Sequence, residues 1–135
     1  MSMFEASPNA NRMLSVLRIV AGIVFVSAGT MKLFGYPPSP TPMPPVTMMS
    51  QMWIAGILET FGGLAIVVGF LTRPVAFVLS GEMAVAYFQA HFPQSIFPTV
   101  NNGIPAVLYC FLFLYLAAVG GDPWSLDAAR ARGTD

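Results

Sequence analysis

The chain has 135 residues, 56% hydrophobic and only 9% charged, with six Lys and Arg balancing six Asp and Glu. Soluble domains carry about 25% charged residues, so this chain could not cover itself for water and an integral membrane protein is expected. The neutral balance excludes the basic footprint of a nucleic-acid binder, and four spans of about 20 residues would leave no room for a large soluble domain.

Residues 1–12 read as a polar N-terminal tail with Pro8 inside it. The first apolar run, residues 13–34, predicts a helix. Arg12 and Arg18 ahead of an apolar core, with Val26-Ser27-Ala28 behind them, resemble a secretory leader and its cleavage site. The apolar character continues through Leu33-Phe34, which favours a retained span. At helical spacing Arg18, Gly22, Phe25, Gly29 and Lys32 share one face, with a charge at each end and small residues between. Lys32 either snorkels to the interface, pairs with a carboxylate of the bundle or contacts a ligand headgroup.

Residues 35–50 contain six prolines and no apolar period, so a loop outside the hydrocarbon is expected. Met43, Met48, Met49 and Met52 suit a soft metal in principle, but they lack regular spacing and a supporting His or Cys. A lid whose methionines touch lipid or ligand is the plainer account.

A second helix is expected over residues 51–71, with Trp53 as an interfacial aromatic. Its apolar stretch Ile54–Leu71 carries one carboxylate, Glu59, set among glycines. An ionised carboxylate in hydrocarbon costs several kcal/mol unless paired, so Glu59 must face protein or water. Gly56 and Gly63 share its side, where a neighbouring helix can approach closely.

Thr72-Arg73-Pro74 breaks the chain before a third helix over residues 74–92, with Glu82 near its middle. His91-Phe92-Pro93 ends it, and residues 94–102 form a second loop. Asn102 is expected to N-cap a fourth helix over residues 103–119, in which Pro105 is tolerated in the first turn and Tyr109 and Tyr115 pack or bind. Residues 123–135 read as a polar C-terminal tail. The expected fold is all-α, an integral membrane four-helix bundle over residues 13–122.

The lone Cys110 forbids an intrachain disulfide and dithiol exchange, and the lone His91 forbids bis-histidine haem ligation. No Cys/His cluster offers a metal cage, so neither a metal nor a covalent cofactor is expected. With four spans, Arg12, Arg18, Arg73, Arg130 and Arg132 collect on one side and Lys32 on the other. The positive-inside rule makes the arginine side, with both termini, cytoplasmic in the cell (inner) membrane. Glu59 then lies roughly 12 Å inside the outer boundary at ~1.5 Å per residue. An outward-opening pocket lined by Lys32, Glu59, His91 and Tyr109 follows as the ligand site. Arg18, Glu82 and Asn102 are the structural or proton-handling candidates, and no residue is assigned a catalytic role.

Lys32-Leu33-Phe34-Gly35, Gly56-Ile57-Leu58-Glu59 with Gly62-Gly63, Gly69-Phe70-Leu71-Thr72-Arg73, Asn102-Gly103 and Ser125-Leu126-Asp127 follow in an order that resembles the DoxX family of small four-helix membrane proteins, over roughly residues 14–128. That family is named for resemblance to the membrane subunit of an archaeal thiosulfate:quinone oxidoreductase. The resemblance implies an accessory or quinone-interacting subunit of a membrane redox process. Quinone is then the cofactor in question, and the bilayer, a redox enzyme and further copies of the chain are the partners. One departure is that Ile104-Pro105 follow Gly103 where the family often has an acidic residue, which removes a proton-handling carboxylate. Two alternatives remain: a non-catalytic scaffold, in which Glu59 pairs with Lys32 and Glu82 with Arg18 or a polar neighbour, and a small transporter relaying protons or cations through Glu59 and Glu82.

Overall fold

A computed structural model describes residues 7–120 and 123–133, and among these every regular element is helical. In chain order they are α1 (Pro8–Phe34), α2 (Gln51–Val68), α3 (Thr72–Ala86) running into a π-helical turn (Tyr87–His91), α4 (Pro98–Asn101), α5 (Ile104–Val119) and α6 (Leu126–Gly133). The chain forms two compact units. One comprises α1, α2 and the C-terminal segment with α6; the other is Arg73–Gly120.

In the first unit, α1 begins at Pro8 rather than near residue 13. The Ser7 hydroxyl accepts the Ala10 amide at 3.1 Å and Pro8 takes the first helical position, where its missing N–H costs nothing. Those residues look like a polar tail because their side chains are polar, yet Ser-Pro is a helix start. α2 begins where expected, with Ser50 capping the Trp53 amide at 3.2 Å. It stops at Val68 rather than near residue 71. Gly69 enters the left-handed region at φ 72°, and the Phe70 amide returns to the Ala65 carbonyl at 2.9 Å in a Schellman closure.

α1 and α2 pack antiparallel along the two small-residue faces. A Cβ at Gly22 would lie 2.8 Å from the Gly63 carbonyl oxygen, and one at Gly63 would lie 3.0 Å from that of Gly22. The backbones therefore meet with no side chain between them, which only glycine permits. The opposite faces leave Val20, Ile23, Phe61 and Leu64 exposed. Both helices are long and apolar enough to cross a membrane.

The expected C-terminal tail contains α6. The Ser125 hydroxyl accepts the Ala128 amide at 3.0 Å and starts the helix.

In the second unit, α3 starts at Thr72 rather than residue 74, and its expected last turn widens so that the Phe92 amide bonds the Tyr87 carbonyl at 2.9 Å. The expected loop after it holds a single helical turn, α4, with Pro98 at its first position. Asn102 does not cap the next helix. It adopts a left-handed conformation at φ 60°, and Gly103 occupies the cap position of α5 without a side-chain bond.

Candidate functional site

The first unit places charge at two levels of the α1–α2 pair. In the last turn of α1, Lys32 reaches across to α2, where its Nζ donates to Glu59 Oε2 at 2.6 Å. The Glu59 side chain is 4% exposed and that of Lys32 22%. A buried carboxylate is thus neutralised by a cation whose stem runs toward the surface. The ammonium has three N–H donors and one is used here, so Lys32 can serve a second acceptor while holding Glu59.

Arg18 stands nearer the start of α1 and is completely buried. Its Nη1 donates to the Ile66 and Val67 carbonyls, each at 2.6 Å, and its Nη2 to the Trp124 carbonyl at 3.1 Å. Carbonyls in the last turn of a helix lack intrahelical partners and carry the negative end of its dipole. The guanidinium fork meets both needs and ties in the segment ahead of α6.

Asp127 complements it on the amide side of the same bend. Its Oδ1 accepts the Leu71 amide and its Oδ2 the Thr72 amide, both at 2.8 Å, while its own amide donates to the Gly69 carbonyl at 2.9 Å. Burial pushes the Asp127 carboxyl up, but hydrogen bonds from Thr72 and Leu71 and the nearby Arg130 charge outweigh it, leaving it below the ordinary carboxylate value. Gly69 also touches Ser125 so closely that a Cβ there would strike its backbone. The Gly69–Thr72 and Ser125–Asp127 sequences therefore form one joint.

The remaining expected site residues lie in the second unit. His91 Nδ1 is 2.9 Å from the Asn101 carbonyl oxygen. Because a carbonyl only accepts, Nδ1 carries the proton in this contact and Nε2 is the nitrogen left to accept in the neutral ring. Asn101 is fully buried. Its side chain donates to Tyr87 Oη at 3.2 Å and to the Ser95 carbonyl at 2.9 Å, and accepts the Gly103 amide at 2.8 Å. The polar organiser of this loop is thus Asn101 rather than its exposed neighbour Asn102. Tyr109 stacks on Phe113 with ring centroids 6.2 Å apart. Glu82 is on α3 with both carboxylate oxygens buried. Arg73 donates to the Ala118 and Val119 carbonyls at 3.0 and 3.2 Å, closing the end of α5.

Of the four expected pocket residues, the structure brings Lys32 and Glu59 together; His91 and Tyr109 belong to the other unit. Among the described residues, no group of three or more His, Cys, Asp or Glu side chains could hold a metal ion. The residues whose roles sequence reasoning missed are Asp127 and Asn101. Both sit in or beside motifs that carried the family resemblance, but nothing in the sequence says which backbone amides they serve.

The family model described as DoxX matches residues 13–92. The chain belongs to the DoxX family. It is 38% identical over 117 residues to an uncharacterized protein of Haemophilus influenzae, covering 84% of this chain and 87% of that one. It is also 33% identical over 122 residues to the inner membrane protein YqjF of Escherichia coli K12, covering 83% and 87%. No solved structure matches. As a DoxX-family protein the chain is a membrane protein, consistent with α1 and α2 each being long and apolar enough to span. The matched region contains Arg18, Lys32, Glu59 and the Gly69–Thr72 half of the joint, and ends before Asp127.

Proposed function

We propose that this DoxX-family chain is a non-catalytic accessory subunit, a four-span anchor in the inner membrane on which a partner redox enzyme assembles, with both termini cytoplasmic. The observation that supports it best is the Lys32–Glu59 bond at 2.6 Å, in which the only two charges of the outer half of the α1–α2 pair satisfy each other. A carboxylate engaged in this way fixes the register of α1 on α2. The two further spans are Thr72–His91 and Ile104–Val119, the latter about 24 Å long at ~1.5 Å per residue. The inner-membrane placement follows the name of the relative YqjF. The redox association rests on the family resemblance drawn from the sequence.

Quinone binding at the same pair is favoured by one observation, the partial exposure of Lys32 with N–H donors to spare, since a quinone carbonyl needs such a donor within apolar walls. Purification from the native membrane in mild detergent, followed by mass spectrometry of extracted lipids and co-purifying protein, separates the two roles. The anchor predicts a stoichiometric partner without stoichiometric quinone, and Glu59→Gln lowers both thermal stability and partner recovery. Stoichiometric quinone that is lost on Glu59→Gln while stability is kept would overturn it.

A further inference from the structure

The C-terminal segment shows a surface that the anchor role does not use. Trp124 is 55% exposed, and Leu126, Phe70 and Leu71 beside it are exposed as well. The Asp127 contacts hold this apolar group at the level where α2 ends, because the Asp127 amide bonds Gly69, the residue following Val68. One turn along α6 from Leu126, Arg130 places its guanidinium over the Phe70 ring, with Cζ 5.5 Å from the centroid. Arg132 follows in the same last turn and is exposed. Both oxygens of Asp127, the acidic residue of α6, are occupied by the Leu71 and Thr72 amides. Neither arginine forms an ion pair among the described residues.

An aromatic and aliphatic group at the end of a membrane helix, rimmed by guanidinium groups that form no ion pair among the described residues, has the layout of a lipid interface. Tryptophan settles at headgroup depth, and arginine matches a phosphate oxygen pair with its planar fork. The apolar rim is continuous along the chain with the hydrocarbon-facing residues of α2, which end in exposed Val68. We infer that Trp124 and α6 form a docking surface for an anionic phospholipid, whose phosphate is held by Arg130 and Arg132 and whose upper acyl chain lies against Trp124, Leu126 and Phe70. A zwitterionic lipid of the same acyl composition offers the same apolar contact but no net charge to offset two arginines, so the surface enriches anionic over zwitterionic lipid. This requires only the membrane location and is independent of the anchor role.

The test uses the full chain with Trp53→Phe, which leaves Trp124 as its sole tryptophan. It is reconstituted into phosphatidylcholine vesicles containing either dibrominated phosphatidylglycerol or dibrominated phosphatidylcholine, and quenching of Trp124 fluorescence reports which lipid sits beside it. The expected result is stronger quenching by the brominated phosphatidylglycerol, with a relative binding constant on the order of fivefold in low salt, falling as salt rises. Arg130→Gln with Arg132→Gln brings the constant close to one. Arg132→Gln alone, which leaves Arg130 on Phe70, reduces it partway and serves if the double variant does not fold. Equal quenching by the two lipids in the parent, or a preference that both variants retain, would overturn the inference.

Discussion

The two ends of the α1–α2 pair handle buried charge in opposite ways. At the joint, Arg18 and Asp127 are matched to backbone groups, the carbonyls that end α2 and the amides that follow the bend. At the other end Lys32 and Glu59 are matched to each other. A charge matched to backbone cannot be released without leaving main-chain polar groups unpaired, which costs free energy wherever they are buried. A charge matched to another side chain can exchange its partner for a ligand. The joint is therefore committed to the fold, whereas the Lys32–Glu59 pair keeps a chemical option open.

The largest effect should come from Arg18. Replacing it by Met removes a completely buried guanidinium, leaves the Val67 and Trp124 carbonyls without this donor and leaves the Ile66 carbonyl with the Gly69 amide alone. With a penalty of about 1–3 kcal/mol for each buried group left unsatisfied, the loss is on the order of 3–5 kcal/mol even after partial relaxation. Arg18→Lys keeps the charge but not the planar fork and should lie between parent and Arg18→Met. Thermal unfolding in detergent reads both, and equal stability of Arg18→Met and parent would dissolve the distinction between the two ends.

The Lys32–Glu59 pair should respond less and asymmetrically. Lys32→Met strands a carboxylate that is 4% exposed, whereas Glu59→Gln leaves an ammonium that is 22% exposed and able to snorkel outward. The first should cost about 3 kcal/mol and the second about 1 kcal/mol, because breaking a buried pair penalises the partner left behind. Replacing both residues by apolar ones of similar size should recover most of the larger loss. A double-mutant cycle by thermal unfolding measures the coupling, and equal single-variant costs would show that the two partners are equally shielded.

The spacing rule of the α-helix made the α1–α2 faces readable before any coordinates. Arg18, Gly22, Phe25 and Gly29 on one helix and Gly56, Glu59 and Gly63 on the other are among the residues the structure buries, together with Ser15, Ala21, Thr60 and Ile66. Lys32 with Glu59 was one of the pairings the same pattern allowed. What stayed hidden depended on contacts distant in sequence or on backbone state. Ser7-Pro8 is masked by a polar composition, and Asn102 reads as a cap by residue type, whereas a cap is set by φ, ψ and amide direction, which put Gly103 there. The Asp127 contact spans 55 residues to Thr72, with no periodicity to announce it. Grouping His91 and Tyr109 with Lys32 and Glu59 is an expectation from depth alone, which constrains one of three dimensions, and the two pairs lie in different units.

Asp127 gives an effect as small as that of Glu59→Gln, and the most specific one. Its carboxyl lies below the ordinary carboxylate value in the folded chain, so the folded state binds its proton less readily than the unfolded state does. The stability it contributes is therefore fully present above the unfolded value of about 3.9, and is lost as the pH falls through the lower folded value. Asp127→Asn retains one side-chain acceptor for the Leu71 and Thr72 amides but loses the negative charge at the start of α3, an effect of about 1 kcal/mol at neutral pH. The difference in unfolding temperature between parent and Asp127→Asn should be steady from pH 8 to about pH 5 and shrink toward zero below pH 4. A difference that persisted into acid for Asp127→Asn would place its role in shape rather than charge.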